Sequence, residues 1–168
     1  SCWVRCAQSW AGPSWGAQFI PRVGMEVVVE FLDGNPDRPL VTGCVYNGAN
    51  PPPFALPDHK TQSGWRTNSS PGGGGSNELR FEDAAGSEEI YLHGQKDWNT
   101  KIENDKTEKV LNNHLHLVKQ GLNRVVGGNQ LVSVAANEIK DVQSAFSEAV
   151  TGNRTESIGG SEKVKVKV

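Results

Sequence analysis

Few residues in this 168-residue sequence have both the type and the spacing to do chemistry. The clearest are His114 and His116, separated by one leucine. Side chains of an extended strand alternate between faces, so the two imidazoles share one. Imidazole is a frequent metal ligand, and several copies of the pair gathered on a symmetry axis could hold a metal ion or an anion. The plainer alternative is that both rings are solvated or line a packed interior. Cys2, Cys6 and Cys44 contain no C-x-x-C spacing. On one strand Cys2 and Cys6 would lie about 13 Å apart at ~3.3 Å per residue, too far to bridge, so buried reduced thiols are expected. Glu88 and Glu89 point to opposite strand faces, and no Ser/His/Asp or Cys/His arrangement can be picked out. The run Gly72 to Gly75 is not followed by Gly-Lys-Ser/Thr or by a helix signal, which argues against a phosphate loop. No catalytic residue and no cofactor is expected, and the chain does not read as an enzyme.

The elements that would position the histidines are strands. The hydrophobic fraction is 36% and mean hydropathy is −0.51, too polar for a large conventional core. Nineteen glycines and a single Met favour turns and short strands over a helical bundle. Basic and acidic residues are interleaved with a net charge of −2, which argues against phosphate-backbone binding. No apolar run approaches the roughly 20 residues of a membrane helix, and no charged-then-apolar leader opens the chain. Because it starts inside what reads as a strand, the sequence is expected to be a fragment of a longer protein.

Residues 1–48 read as a partial OB-type barrel. Val23, Met25, Val27, Val29 and Phe31 alternate, a turn follows at 33–37, and Leu40 to Tyr46 return. Residues 49–76, with five Pro and five Gly, read as an extended linker. Residues 77–94 read as a hairpin, with Leu79/Phe81 and Ile90/Leu92 alternating about a turn at 84–87.

Residues 95–168 carry the strongest pattern. From Gln95 to Val166 the chain divides into nine blocks of eight, each ending in a β-branched aliphatic: Ile102, Val110, Val118, Val126, Val134, Val142, Val150, Ile158 and Val166. Nine of the thirteen Val and Ile in this stretch therefore share one register. The third block position is rich in turn formers, such as Asp105, Asn113 and Asn129. A continuous helix would drift about 80° per block and scatter these residues around its axis, whereas a strand period of two returns each to the same face. Only 137–150, where Ile139, Val142, Phe146 and Val150 have helix-like spacing, suggests a helical interruption. One inward aliphatic per short strand cannot offset the entropy of ordering eight residues, so matching faces must come from elsewhere. A single chain could coil three octads per turn, as five identities between 128–142 and 152–166 allow. Three intertwined chains could instead supply one face each, which avoids a three-turn solenoid with two open ends and is preferred.

The stretches "SWAGPSWGAQFIPRVGMEVVVEFLDGNPDRPLVTGCVYNG", "PPPFALPDHKTQSGWRTNSSPGGGGSNELRFEDAAGSEEIYLH" and "KDWNTKIENDKTEKV" resemble the VgrG spike family of bacterial type VI secretion systems. The resemblance is close to about residue 110 and looser through the octads. It implies an all-β homotrimer: a partial OB fold followed by an intertwined triple-stranded β-helix needle, driven out by a contractile sheath to puncture a target membrane and carry effectors. It also implies contact with an Hcp-like tube protein through domains absent here, a PAAR-like tip cap, and assembly in the bacterial cytoplasm before secretion. The central spike of a phage or prophage contractile tail is the related alternative. An OB-type oligonucleotide-binding module, kept open by Trp3, Trp10 and Trp15, is the rival of another class. Balanced charge argues against it, and no nucleic-acid partner is expected.

Overall fold

The computed structural model describes residues 3–166, so Cys2 and Val168 lie outside the described residues. The described chain is all-β apart from a single 3-10 turn. It divides after Thr107 into two units.

In the first unit, β4 (Glu26–Phe31) and β5 (Pro39–Val45) form the expected antiparallel hairpin, with Glu26 opposite Val45 and Phe31 opposite Pro39. Tight closure requires left-handed backbone at Asp33 (φ 54°) and Gly34 (φ 69°), within the 3-10 turn Leu32–Gly34. The Arg38 guanidinium donates to the Asp33 carboxylate at 2.6 Å across that turn. The register shifts between Val28 and Val29, so Thr42 is an extra residue on β5; such a bulge bends the pair as barrel-type sheets require. β1 (Arg5–Cys6) adds parallel to β5, giving the order β1-β5-β4. β2 (Ala11–Gly12) and β3 (Trp15–Gly16) make a separate short hairpin. There Trp10 and Trp15 meet edge to face, ring centroids 5.0 Å apart, and a Cβ on Gly12 would overlap the Trp15 ring. Of the two described cysteines, Cys6 is half-buried and Cys44 exposed. The expectation of buried thiols fails at Cys44 because no closed core forms beneath β5.

The second sheet of this unit departs from the sequence reading. Within the segment read as a linker, β6 (Gln62–Arg66) pairs antiparallel with β7 (Glu78–Glu82), and β8 (Glu89–His93) completes the order β6-β7-β8. "QSGWR" has no hydrophobic alternation, and its ladder depends on a non-local partner. Gly64 permits the pairing, since a Cβ there would come within 2.1 Å of the Leu79 carbonyl oxygen. The loop from 67 to 77 is held by the Thr67 and Ser69 amides, which donate to the Asn77 and Gly75 carbonyls.

From Gln95 onward the described chain forms no helix and makes no ladder with itself. Bends recur at 95–96, 103–104, 111–112, 119–120, 127–128, 135–136, 143–144, 151–152 and 159–160. They fall on the first two residues of every octad, directly after the aliphatic, rather than on the third-position Asn/Asp, which begins the next straight segment. The helical alternative for 137–150 is overturned: bends at 135–136, 143–144 and 151–152 keep the octad period through it, and no helix forms. Four apolar residues at helical spacing, three of them β-branched, cannot nucleate a helix without neighbours to pack on.

No hydrophobic side chain of the described chain is buried, and Glu78 is its one buried residue. The protomer exposes 16587 Å². A compact monomer of 18.2 kDa should expose only about 8,000 Å². Roughly half the surface of the isolated chain is therefore surplus, and in a β chain rich in Val and Ile that surplus calls for partner chains.

Candidate functional site

The octads give the chain two distinct faces. Ile102 and the octad aliphatics from Val110 to Ile158 expose between 41% (Val118) and 49% (Val150) of their surface. Val166, beside the end of the described chain, is more exposed. Apolar residues of opposite parity stand out further: Leu115, Val125, Leu131 and Ile139 expose 86–94% and Leu117 74%, while Leu122, Val132 and Phe146, on the parity of the octad aliphatics, expose 60–67%. Strand alternation places the fourth and sixth residues of each octad on the side of the eighth.

Side-chain contacts follow that parity. Lys140 reaches Glu138 at 3.2 Å, and Arg154 reaches Glu156 at 3.3 Å, each pairing the fourth and sixth residues of one octad. Arg154 also reaches back across the bend to Glu148 at 3.1 Å, and His114 Nε2 to Glu108 Oε1 at 3.9 Å. In both cases the sixth residue of one octad meets the fourth of the next, so the face persists through the bend. It is thus a ladder in which aliphatic rungs are separated by mixed rungs, several of them charged side chains paired within the chain and others apolar, such as Leu122, Val132 and Phe146. The sequence reading found the aliphatic rungs and missed the polar ones. Their signal was present as opposite charges two residues apart on the valine parity.

His114 and His116 lie on this aliphatic side, with Leu115 and Leu117 on the other. Among the described residues of one chain, no three His, Cys, Asp or Glu side chains gather in metal-binding geometry.

The sheet β6-β7-β8 has its own two faces. One carries a charge network: Glu78 accepts from Arg80 at 2.9 Å and lies 3.5 Å from Arg66, while Arg80 also donates to Glu89 at 3.1 Å. The Arg80 guanidinium lies 4.6 Å above the Tyr91 ring, which stacks on His93. Hydrogen bonding to Glu89 raises the Arg80 pKa. At the strand end, the Glu82 carboxylate is held below its ordinary range, first by the Thr61 hydroxyl and then by the Ala84 amide. The opposite face is apolar: Trp65 pairs with Leu79, Leu79 with Leu92, and Phe81 with Ile90. It opens into a groove of about 510 Å³ lined by Phe19, Trp65, Leu79, Leu92 and Trp98.

Comparison with known proteins follows the same division. Residues 63–168 match the family model of the bacteriophage T4 gp5 C-terminal trimerisation domain. Residues 1–46 match that of the type VI secretion system/phage-baseplate injector OB domain. Relatives include the type VI secretion system spike protein VgrG3 of Vibrio cholerae, 56% identical over 117 residues, which is 70% of this chain and 11% of that protein. The spike protein VgrG5 of Pseudomonas aeruginosa is 54% identical over 110 residues, 66% of this chain and 14% of that protein. The Vibrio cholerae protein named actin cross-linking toxin VgrG1 is 45% identical over 152 residues, 90% of this chain and 14% of that protein. The chain spans only 11–14% of the length of these relatives.

Proposed function

Because the chain belongs to the family of VgrG and gp5-type spikes, with an OB domain followed by a trimerisation domain, we propose that it is the collar and shaft of a homotrimeric puncturing needle of a type VI secretion system. Three copies would turn their octad faces to a common axis, each contributing one strand per level. Ile102, Val110, Val118, Val126, Val134, Val142, Val150, Ile158 and Val166 would then stack inward. Intertwined strands leave no free edge along the shaft, and no chain can unravel alone. The role is mechanical: a stiff rod that transmits the thrust of a contracting sheath, with no reaction assigned to this segment. An Hcp-like tube behind it, a PAAR-like cap at its tip and effectors carried by it complete the reading, as does assembly in the cytoplasm before export by the secretion machinery. His114 and His116, with Glu108 across the bend, would form the one imidazole-rich layer of the interior and are proposed as a divalent-metal site.

The observation that carries the proposal is the half-exposed aliphatic row, repeated from Ile102 to Ile158 in a chain whose described residues bury no hydrophobic side chain. The OB model's description covers phage baseplates as well, so the same rod in a phage-type contractile tail is the second reading; it changes the machine and not the mechanics. Sedimentation of the chain tests the assembly: a mass near three times 18.2 kDa is expected, and a stable folded species at 18.2 kDa refutes it.

A further inference from the structure

An octad shaft has a register problem. If one chain slides by eight residues against two others, every aliphatic still meets an aliphatic, and only one layer at the end is lost. The polar rungs discriminate little, because Lys140–Glu138 and Arg154–Glu156 are satisfied within one chain. The repeat therefore makes assembly favourable without saying which assembly is right, and repetitive strands are prone to such slips. Single-layer residues of the face, such as His114, His116 and Phe146, oppose such a slip, and an aperiodic element outside the repeat would add to the alignment.

The sheet β6-β7-β8 has the features required. The charges of its polar face are paired within the sheet, whereas its apolar face is open: Trp65 is 60% exposed and Ile90 73%. This set of Trp65, Leu79, Phe81, Ile90 and Leu92, with the groove closed by Trp98, occurs once in the described chain. The trimerisation-domain match begins at residue 63, inside β6, and so takes in the whole face rather than the octads alone. The surplus surface of the isolated chain leaves ample area for a second and third copy to cover it.

We propose that this apolar face docks against the other two copies of the chain and fixes the register in which their octads intertwine. The inference rests on the trimeric reading above. Its one-per-chain geometry supplies an alignment that the periodic aliphatics do not, in the way that a single polar layer can fix the register of a coiled coil.

The test uses the full 168-residue chain with its cysteines replaced by serine and a spin label on Leu131→Cys, an outward position. Label-to-label distances are measured by pulsed electron paramagnetic resonance, with mass by sedimentation on the same sample. The parent should show trimer mass and a single distance population. Leu92→Asn should keep trimer mass but add a second, longer population, with the ratio of in-register to slipped trimers falling about tenfold or more. Val134→Ala, a shaft substitution, should weaken the trimer and leave one distance. If Leu92→Asn prevents assembly, Leu92→Ala is read by the same criterion. A single distance in the trimeric Leu92 variant overturns the register proposal while leaving the trimer intact. A parent that is not trimeric overturns the underlying reading instead.

Discussion

Two apolar residues three positions apart should respond very differently to truncation to alanine. Val134 ends its octad and is 48% exposed, and Leu131 has the other parity and is 91% exposed. Truncating Val134 to alanine removes two methyl equivalents at ~0.8 kcal/mol each, or about 1.6 kcal/mol per chain once the side chain is enclosed. Threefold assembly applies the loss three times, about 5 kcal/mol per trimer. At ~1.4 kcal/mol per decade this lowers a three-body association constant by about 3.5 orders of magnitude. Since concentration enters that equilibrium squared, the midpoint of assembly should rise about sixty-fold. Were the chain to act alone, half-exposed Val134 would lose under ~1 kcal/mol, with no dependence on concentration. Leu131→Ala, on an outward face, should stay within about 0.5 kcal/mol. Sedimentation equilibrium over three decades of concentration reads both variants. An equal shift for both would refute the assignment of faces, and a concentration-independent effect of Val134→Ala would refute the intertwined shaft.

Lowering pH through the acid range should weaken the sheet that precedes the shaft. The Glu82 carboxyl is depressed in the fold below the ordinary value of 4.5, so its contribution is fully present above that value and lost as pH falls through the folded pKa. Glu82→Gln should flatten this acid limb in urea midpoints followed by tryptophan fluorescence, and an unchanged limb would remove Glu82 as a contributor. For the histidine layer, one divalent ion per three chains after incubation with nickel is expected, lost in His116→Ala. Unchanged metal content and melting temperature would eliminate the site.

The parts legible in the sequence were those written by local periodicity. The octad aliphatics repeat without exception from Ile102 to Val166, and a period of eight is compatible with strands and incompatible with a helical stripe. The hairpin of β4 and β5 announced itself through alternation on both sides of Asp33-Gly34. What escaped was non-local. β6 lies among prolines and glycines and becomes a strand only because β7 offers it a ladder, and Gly64 matters for the room it leaves rather than for any propensity. The bends escaped by two residues, because Asn and Asp favour turns strongly enough to draw attention from the glycines and polar residues before them. The polar rungs escaped because a charge two residues from its opposite reads as an ordinary solvated pair until the face it occupies is known.

That face also explains why the inward side need not be uniformly apolar. A rod of one aliphatic per octad buries too little to hold a chain by itself, so stability has to be collective. Charged residues at the intervening positions are tolerable inside such a rod only if each brings its own counter-ion, since an uncompensated enclosed charge costs several kcal/mol. Glu138 with Lys140 meets that condition before any partner arrives, and Arg154, shared between Glu148 and Glu156, meets it for one of its two carboxylates. The chain therefore presents its partners with a face on which part of the charge is already paired, while its valines stay hydrophobically open. Such a face favours association wherever valines meet, and a non-repeating surface beside it helps to decide which valines those are.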